Sequence, residues 1–253
     1  MRSRKFALAL TATLATLALA GMGPAARAVF PNFTGCTATD ISREACIDIQ
    51  QRSGNLNIKG FNVPLHESME IRGKLTPEAG GNNVFTPPTG TNGFFTRPVP
   101  VPGGIFGIEW LPGNTVLAIT ELAGSPSLIH IETGDLSVRI PIKVRLVNLL
   151  LGMDCHIGTN SNPVVLDLIT GTTSPPPPNR PISGRVGTES FTERAILIRE
   201  NVNVENSFAV PGATECGLGL GLINSLVNLR LQLPSAAGNN SAEAVNDVAF
   251  GLS

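Results

Sequence analysis

The chain has 253 residues and a formal net charge of −1, and only 15% of its residues are charged. Loss of residues 1–28, which include four basic residues and no acidic one, would leave a net charge of about −5. This balance disfavours a nucleic-acid-binding protein, which needs a basic surface to neutralise phosphates.

Residues 1–28 have the order of a secretory signal peptide. A basic start precedes an uncharged run over residues 6–20, the helix breakers Gly21 and Pro24, and the small residues Ala26 and Ala28. The run is short for a spanning helix, and no later run reaches the ~18 apolar residues that such a helix needs. We therefore predict cleavage after Ala28. Residues 29–253 are then a single secreted or envelope-associated β-rich domain that does not span the membrane.

Short Val, Ile and Leu runs separated by many of the 27 Gly and 20 Pro residues predict a mainly β fold. We expect an antiparallel β-sandwich or barrel-like domain with one short C-terminal helix. Apolar and polar residues alternate with period two over residues 69–75 and 138–146. Pro141 cannot donate a ladder hydrogen bond, so residues 138–146 are expected at a sheet edge or with a bulge.

The remaining elements follow from similar patterns. The alternation changes phase at Gly60, which indicates a bulge, and residues 199–201 are interpreted as a turn between two strands. Helical spacing of apolar residues predicts a helix over residues 220–231. Residues 242–250 fit either a strand or a helix. Further strands are expected at residues 115–122, Ser127–Glu132 and 164–170.

The four cysteines indicate disulfides rather than metal ligands. An even number in an exported chain favours two bridges, and the spacing does not fit a zinc site. Three pairings are possible, and we favour Cys36–Cys46 with Cys155–Cys216. Lipidation of Cys36 is the alternative, and it would leave an odd number of cysteines.

No motif for a nucleotide, metal or hydrolase site stands out, and we expect no cofactor. The weak candidates are Asp154 with His156, beside a predicted disulfide, and the row Arg139, Lys143 and Arg145. A histidine near a carboxylate is one part of a hydrolase, and a basic row attracts anions. A structural histidine and a solvated strand face are the simpler interpretations.

Several stretches along the chain form a recognisable set: Pro102-Gly103-Gly104, Thr120-Glu121-Leu122-Ala123-Gly124, Asn148-Leu149-Leu150-Leu151-Gly152 with Cys155-His156-Ile157-Gly158, Gly171-Thr172-Thr173-Ser174 with four prolines and Asn179, Asn206-Ser207-Phe208-Ala209-Val210-Pro211 leading to Cys216-Gly217, and Leu233-Pro234-Ser235-Ala236-Ala237-Gly238-Asn239. In this order they resemble a family of small secreted actinobacterial proteins that has no established activity. The resemblance implies secretion and a single domain, and it implies no catalytic residue.

Three functions remain open at the level of sequence. The first is a non-enzymatic secreted or envelope-associated protein that binds a lipid or another hydrophobic component in a cleft between sheets. A secreted hydrolase with a site near His156 is the second. The third is a structural or adhesive surface protein that associates through edge strands such as residues 138–146.

Overall fold

The structure is a computed structural model that describes residues 29–79, 81–108, 110–132, 135–217 and 221–252. The predicted signal peptide and its cleavage site at Ala28 lie outside these residues. The described chain is mainly β and antiparallel, with one short helix, which confirms the predicted fold class. Its elements are β1 (Ala45–Ile58), β2 (Phe61–His66), β3 (Met69–Pro77), β4 (Asn83–Thr86), β5 (Phe94–Thr96), β6 (Val99–Pro100), β7 (Leu117–Leu122), β8 (Ser127–Glu132), β9 (Asp135–Val147), β10 (His156–Ile157), β11 (Val164–Leu168), β12 (Thr188–Phe191), β13 (Ala195–Glu205), β14 (Ala213–Thr214), α1 (Leu222–Leu231) and β15 (Asn240–Gly251).

The strands form two halves that are joined through the pairing of β4 with β8. We call β1–β5, β12, β13 and β15 the terminal half, and β6–β11 and β14 the central half. The order across the sheet is β12-β13-β15-β1-β3-β4-β8-β9-β10-β14, with the other strands paired at its sides. The sheet is not closed, so the barrel form that the sequence left open is not observed.

The two halves share one hydrophobic core. Period-two alternation turns Ile47 and Ile49 of β1 to the inside, and it does the same for Ile140 and Ile142 of β9. All four side chains belong to one cluster of buried apolar residues. Burying a side chain of this size contributes roughly 1.5–3 kcal/mol, so the core formed by both halves is a main source of stability.

Strand β9 lies inside the sheet, which corrects the expectation of an edge strand at residues 138–146. β7 and β8 pair along one side of β9, and β10 and β11 pair along the other. Pro141 is tolerated because it faces the interval between β7 and β8, where its carbonyl accepts a hydrogen bond from Ala123 N at 2.9 Å. On that side of β9 the pairing with β7 ends at Ile142 and the pairing with β8 begins at Arg139, so Pro141 lies between the two ladders.

Two other local predictions are corrected by hydrogen bonding. The phase change at Gly60 marks a hairpin, because Lys59 and Gly60 both have positive φ between β1 and β2. Residues 199–201 are a bulge within β13 and not a turn between two strands. Asp247 accepts the N–H of Glu200 at 3.1 Å, which holds the extra residue in place.

The C-terminal region consists of the helix α1 and the last strand, β15. The helix α1 confirms the helical prediction, starts after Gly221 and ends where Gln232 adopts a left-handed conformation. Residues 242–250, which fitted either class, belong to the strand β15. No helix of the described residues is long and apolar enough to cross a membrane.

Both favoured disulfides are present. Cys36 is bonded to Cys46, and Cys155 to Cys216, across sequence separations of 10 and 61 residues. The longer bridge ties the segment before β10 to the segment that leads into α1. No described cysteine is left as a thiol.

The outer face of β1 is polar and is covered by the segment before it. The Asn32 N–H and the Gln50 side chain both donate to one carboxylate oxygen of Asp48, at 2.7 and 2.9 Å. Gln50 also donates to the Val29 carbonyl, and the Phe30 ring lies under the Arg199 guanidinium. Burial raises the pKa of Asp48 from 3.8 to about 7, despite the hydrogen bond from Asn32.

The two disulfides should differ in what they add to stability. Because a longer loop loses more chain entropy when it is closed, removing Cys155–Cys216 should cost about 4 kcal/mol and removing Cys36–Cys46 about 3 kcal/mol. Urea unfolding of the paired Cys→Ala variants measures both values. A larger loss for the shorter loop would contradict this expectation.

Asp48 should make stability depend on pH. Its folded pKa lies above the unfolded value, so the folded state holds the proton more tightly and loses stability as the pH rises from about 4 to about 7. The full loss is roughly 4 kcal/mol at about 1.4 kcal/mol per pKa unit. Urea unfolding at pH 5 and pH 8 measures the change in the free energy of unfolding, and the part of that change due to Asp48 should be missing in Asp48→Asn. The exposed Asp154→Asn is the control, and equal pH dependence in wild type and Asp48→Asn would exclude the effect.

Candidate functional site

The basic row that the sequence singles out lies on β9, and each of its side chains contacts an acidic residue. The Arg139 guanidinium donates to both carboxylate oxygens of Asp167, at 2.5 and 2.7 Å. The hydrogen bond and the negative charge of Asp167 raise the pKa of Arg139. This cation is therefore engaged within the protein and is not free to attract an external anion.

Glu121 is shared by the two other cations of the row. Its carboxylate accepts a hydrogen bond from Arg145 Nε at 2.7 Å and lies 3.7 Å from Lys143 Nζ. Partial burial raises the pKa of Glu121, but the Arg145 hydrogen bond and the nearby positive charges outweigh it and leave the pKa below 4.5. Glu121 is therefore ionised at neutral pH and offsets one of the two positive charges at this end of the row.

His156 adjoins the same carboxylate. Its Nε2 atom lies 3.6 Å from Glu121 Oε2, and its Nδ1 atom hydrogen-bonds to the backbone carbonyl of Asp154 at 2.7 Å. The Asp154 residue is exposed, and its contact with His156 is through the backbone. Thr214 is the cross-strand partner of His156 in the β10–β14 pair. Among the described residues, no hydrogen bond joins His156 to a serine or threonine hydroxyl, as the base and nucleophile of a serine-type hydrolase would require.

Nor do the described residues form a metal centre. All four cysteines are in disulfides, and no group of three or more His, Cys, Asp or Glu side chains converges in the described part of the chain.

The main candidate site is an apolar cavity between the two halves. Its volume is about 80 Å³, and it is not fully enclosed. All but one of its lining residues are apolar, the exception being Thr120. The walls are formed by Leu56, Ile58, Phe61, Val63, Leu65, Val99, Val101, Ala118, Thr120, Ile142, Val144, Leu146, Ile157, Val164, Leu166, Phe208, Val210 and Leu231.

The hairpin of β1 and β2 forms the wall from the terminal half. Leu56 pairs with Val63, and Ile58 pairs with Phe61. Cross-strand partners lie on the same face of a sheet, so these four side chains point together into the cavity. Because the alternation changes phase at Gly60, β1 and β2 both present apolar side chains on the face that lines the cavity.

Strand β9 forms much of the opposite wall. Ile142, Val144 and Leu146 alternate along it and face the cavity, while Lys143 and Arg145 lie on the other face with Glu121. The charged row and the cavity are thus the two faces of one strand. The sequence predicted this inner face of β9, but it did not indicate which distant strands would meet it.

The cavity has an energetic cost when it is empty. At about 24 cal/mol per Å³, a volume of about 80 Å³ corresponds to roughly 2 kcal/mol of lost packing. A space lined by apolar side chains offers water few hydrogen-bonding partners, so an apolar molecule is the occupant that suits it.

A second surface feature lies where three segments meet. Asn148 donates to the carbonyls of Gly113 and Thr115, and Arg230 of α1 donates to the Pro102 carbonyl. These contacts bring the 102–114 loop, the 148–154 loop and α1 together. We call this region the apolar end, because it exposes Phe106, Ile108, Trp110, Leu149, Leu150, Met153, Leu222 and Leu229.

Comparison with known protein families, with curated proteins and with solved structures found no match. The resemblance to secreted actinobacterial proteins therefore stays a prediction from the sequence.

Proposed function

We propose that this protein is a secreted or envelope-associated, non-enzymatic β protein that binds a hydrophobic molecule in the cavity between its halves. The observation that carries the proposal is the lining of that cavity, in which Thr120 is the one polar residue. Binding sites for small molecules are commonly concave, largely apolar and preformed, as this one is.

The size and opening of the cavity favour an alkyl chain. Its volume of about 80 Å³ equals the space of several water molecules and accommodates a short alkyl segment without rearrangement. Because the cavity is not fully enclosed, the remainder of a longer molecule extends outside it. Each buried methylene contributes about 0.8 kcal/mol, so a few of them give measurable affinity.

The location proposed for the protein agrees with its covalent structure. Two disulfides persist in an oxidising compartment, which is where an exported protein meets envelope lipids. The signal sequence predicted at residues 1–28 supports the same location.

Filling the cavity tests the proposal. Ala118 lies on β7 and lines the cavity, so Ala118→Leu places additional methyl groups where an alkyl chain would lie. We expect the delipidated wild type to bind decanol, measured by calorimetry and native mass spectrometry. The variant should bind at least about tenfold more weakly, since two lost methylene contacts already correspond to this factor.

The matched control is Ala209→Leu. Ala209 is exposed between Phe208 and Val210, which both line the cavity, so its side chain lies outside. This variant should bind decanol like the wild type. If the delipidated wild type binds no decanol, or if both variants bind it equally well, the cavity is not a binding site.

A structural or adhesive function is the second candidate, and the apolar end favours it. Large exposed apolar patches mark interaction surfaces, and Leu149 and Leu229 are 98% and 79% exposed there. Copies of the protein cannot associate by strand pairing at residues 138–146, because β9 is already paired on both sides. The surface proposed for association is therefore the apolar end.

Light scattering over a range of concentrations tests this second candidate. Wild type should self-associate, and Leu149→Ser with Leu229→Ser should reduce association at least about tenfold, because two large apolar side chains leave the contact. Phe191→Ser, at an exposed residue of the edge strand β12, is the control and should leave association unchanged. A monomeric wild type at high concentration would exclude this candidate.

A further inference from the structure

Arg230 has an unusual position near one end of the cavity. It lies in the last turn of α1, and its guanidinium carbon is 4.9 Å from the centre of the Phe61 ring. Phe61 is itself a wall of the cavity. The Nη2 atom donates to the Pro102 carbonyl at 3.1 Å, which fixes the guanidinium over the ring.

The charge of Arg230 is not matched by the described residues. Its Nε atom is buried without a hydrogen-bond partner, and no described carboxylate forms an ion pair with it. By contrast, Arg52 and Arg199 share Asp247, and Arg139 and Arg145 have their own carboxylates. Leaving a buried donor unsatisfied is unfavourable, and more so when the group is charged.

A small hollow beside Arg230 shares part of its lining with the cavity. Arg230 lines a hollow of about 20 Å³ whose walls include Val101, Leu146 and Leu231. The same three side chains also line the larger cavity. A single cation is therefore placed beside an otherwise apolar space.

The loop over Arg230 leaves room for its guanidinium. A Cβ atom at Gly103 would lie 2.7 Å from Nη2, and one at Gly107 would lie 3.6 Å from Nε. Both glycines also have positive φ, which other residues adopt at a cost. The guanidinium thus occupies a place that the backbone leaves open for it.

We infer that the ligand is an amphiphile with an alkyl chain and a carboxylate head group, of the fatty-acid type. The chain occupies the cavity, and the carboxylate accepts a hydrogen bond from Arg230 at the end where the two hollows share their walls. The inference depends on the proposed function, because it specifies the ligand of the same cavity. A charge-assisted pair of this kind is short and strong, and it satisfies the donor that the protein itself leaves unpaired.

Matched probes of equal chain length test the head group. Delipidated wild type should bind decanoate at least about tenfold more tightly than decanol at pH 7, as one hydrogen bond to a charged group provides. Decylammonium, which carries the same charge as Arg230, should bind more weakly than decanol. Isothermal calorimetry measures all three.

Substitution of Arg230 separates its charge from its packing. Arg230→Gln should reduce decanoate affinity at least about tenfold and change decanol affinity less than about twofold, while Arg230→Lys should restore part of the preference. The exposed Arg194→Gln is the matched control and should behave as wild type. Circular dichroism establishes that each variant is folded.

The outcomes distinguish the two levels of the proposal. The head-group inference would be refuted if wild type bound decanol and decanoate with equal affinity, or if Arg230→Gln weakened the binding of both probes equally. Either result would leave the cavity as a binding site. The wild-type comparison decides this even if Arg230→Gln does not fold. Failure of both probes to bind wild type would overturn the proposed function itself.

Discussion

The fold depends on β1, which is paired along both edges and buried on both faces. β15 pairs with it from Cys46 to Ile58, so strands from the two ends of the described chain lie side by side. Its inner face supplies Ile47 and Ile49 to the shared core, and its outer face holds Asp48 and Gln50 under the preceding segment. A strand in this position must satisfy an apolar and a polar environment at alternate residues, and period two makes that possible. The β1–β2 hairpin extends the same strand into one wall of the cavity.

The cavity and the charged row lie on opposite faces of β9, because apolar and charged residues alternate along this strand. Residues 142, 144 and 146 face the apolar space, while Lys143 and Arg145 contact Glu121 on the outer face. Each cation of the outer face contacts Asp167 or Glu121, so these side chains contribute to pairing between the strands. The inner face leaves space unfilled at a cost of roughly 2 kcal/mol. A bound ligand would restore the packing contacts that this space lacks. Arg230 lies near the end of the space, and its positive charge favours a ligand with a negatively charged head group.

Polar residues are the ones that draw attention in a sequence, and here they are mostly satisfied by one another. Asp154, His156 and the basic row were the candidates because their chemistry is recognisable in a list of residues. Their partners Glu121 and Asp167 come from β7 and β11, which are separate in sequence from β9 and adjacent only in the sheet. The residues that form the cavity carry no motif, since valine, isoleucine and leucine in alternation describe any strand. Among the described residues no carboxylate forms an ion pair with Arg230, and no spacing rule in the sequence expresses such a feature.

The sequence by itself determined the class of the fold, most strand positions, the helix and the number of disulfides. These follow from local periodicity, turn residues and an even cysteine count, which act within a few residues or on composition. Tertiary structure alone decided that β9 is internal, that Lys59 and Gly60 close a hairpin, and that residues 199–201 are a bulge. It also decided where the cavity lies. Each of these depends on which strands become neighbours, and that choice is made by hydrogen bonding and packing between segments that are far apart in the chain.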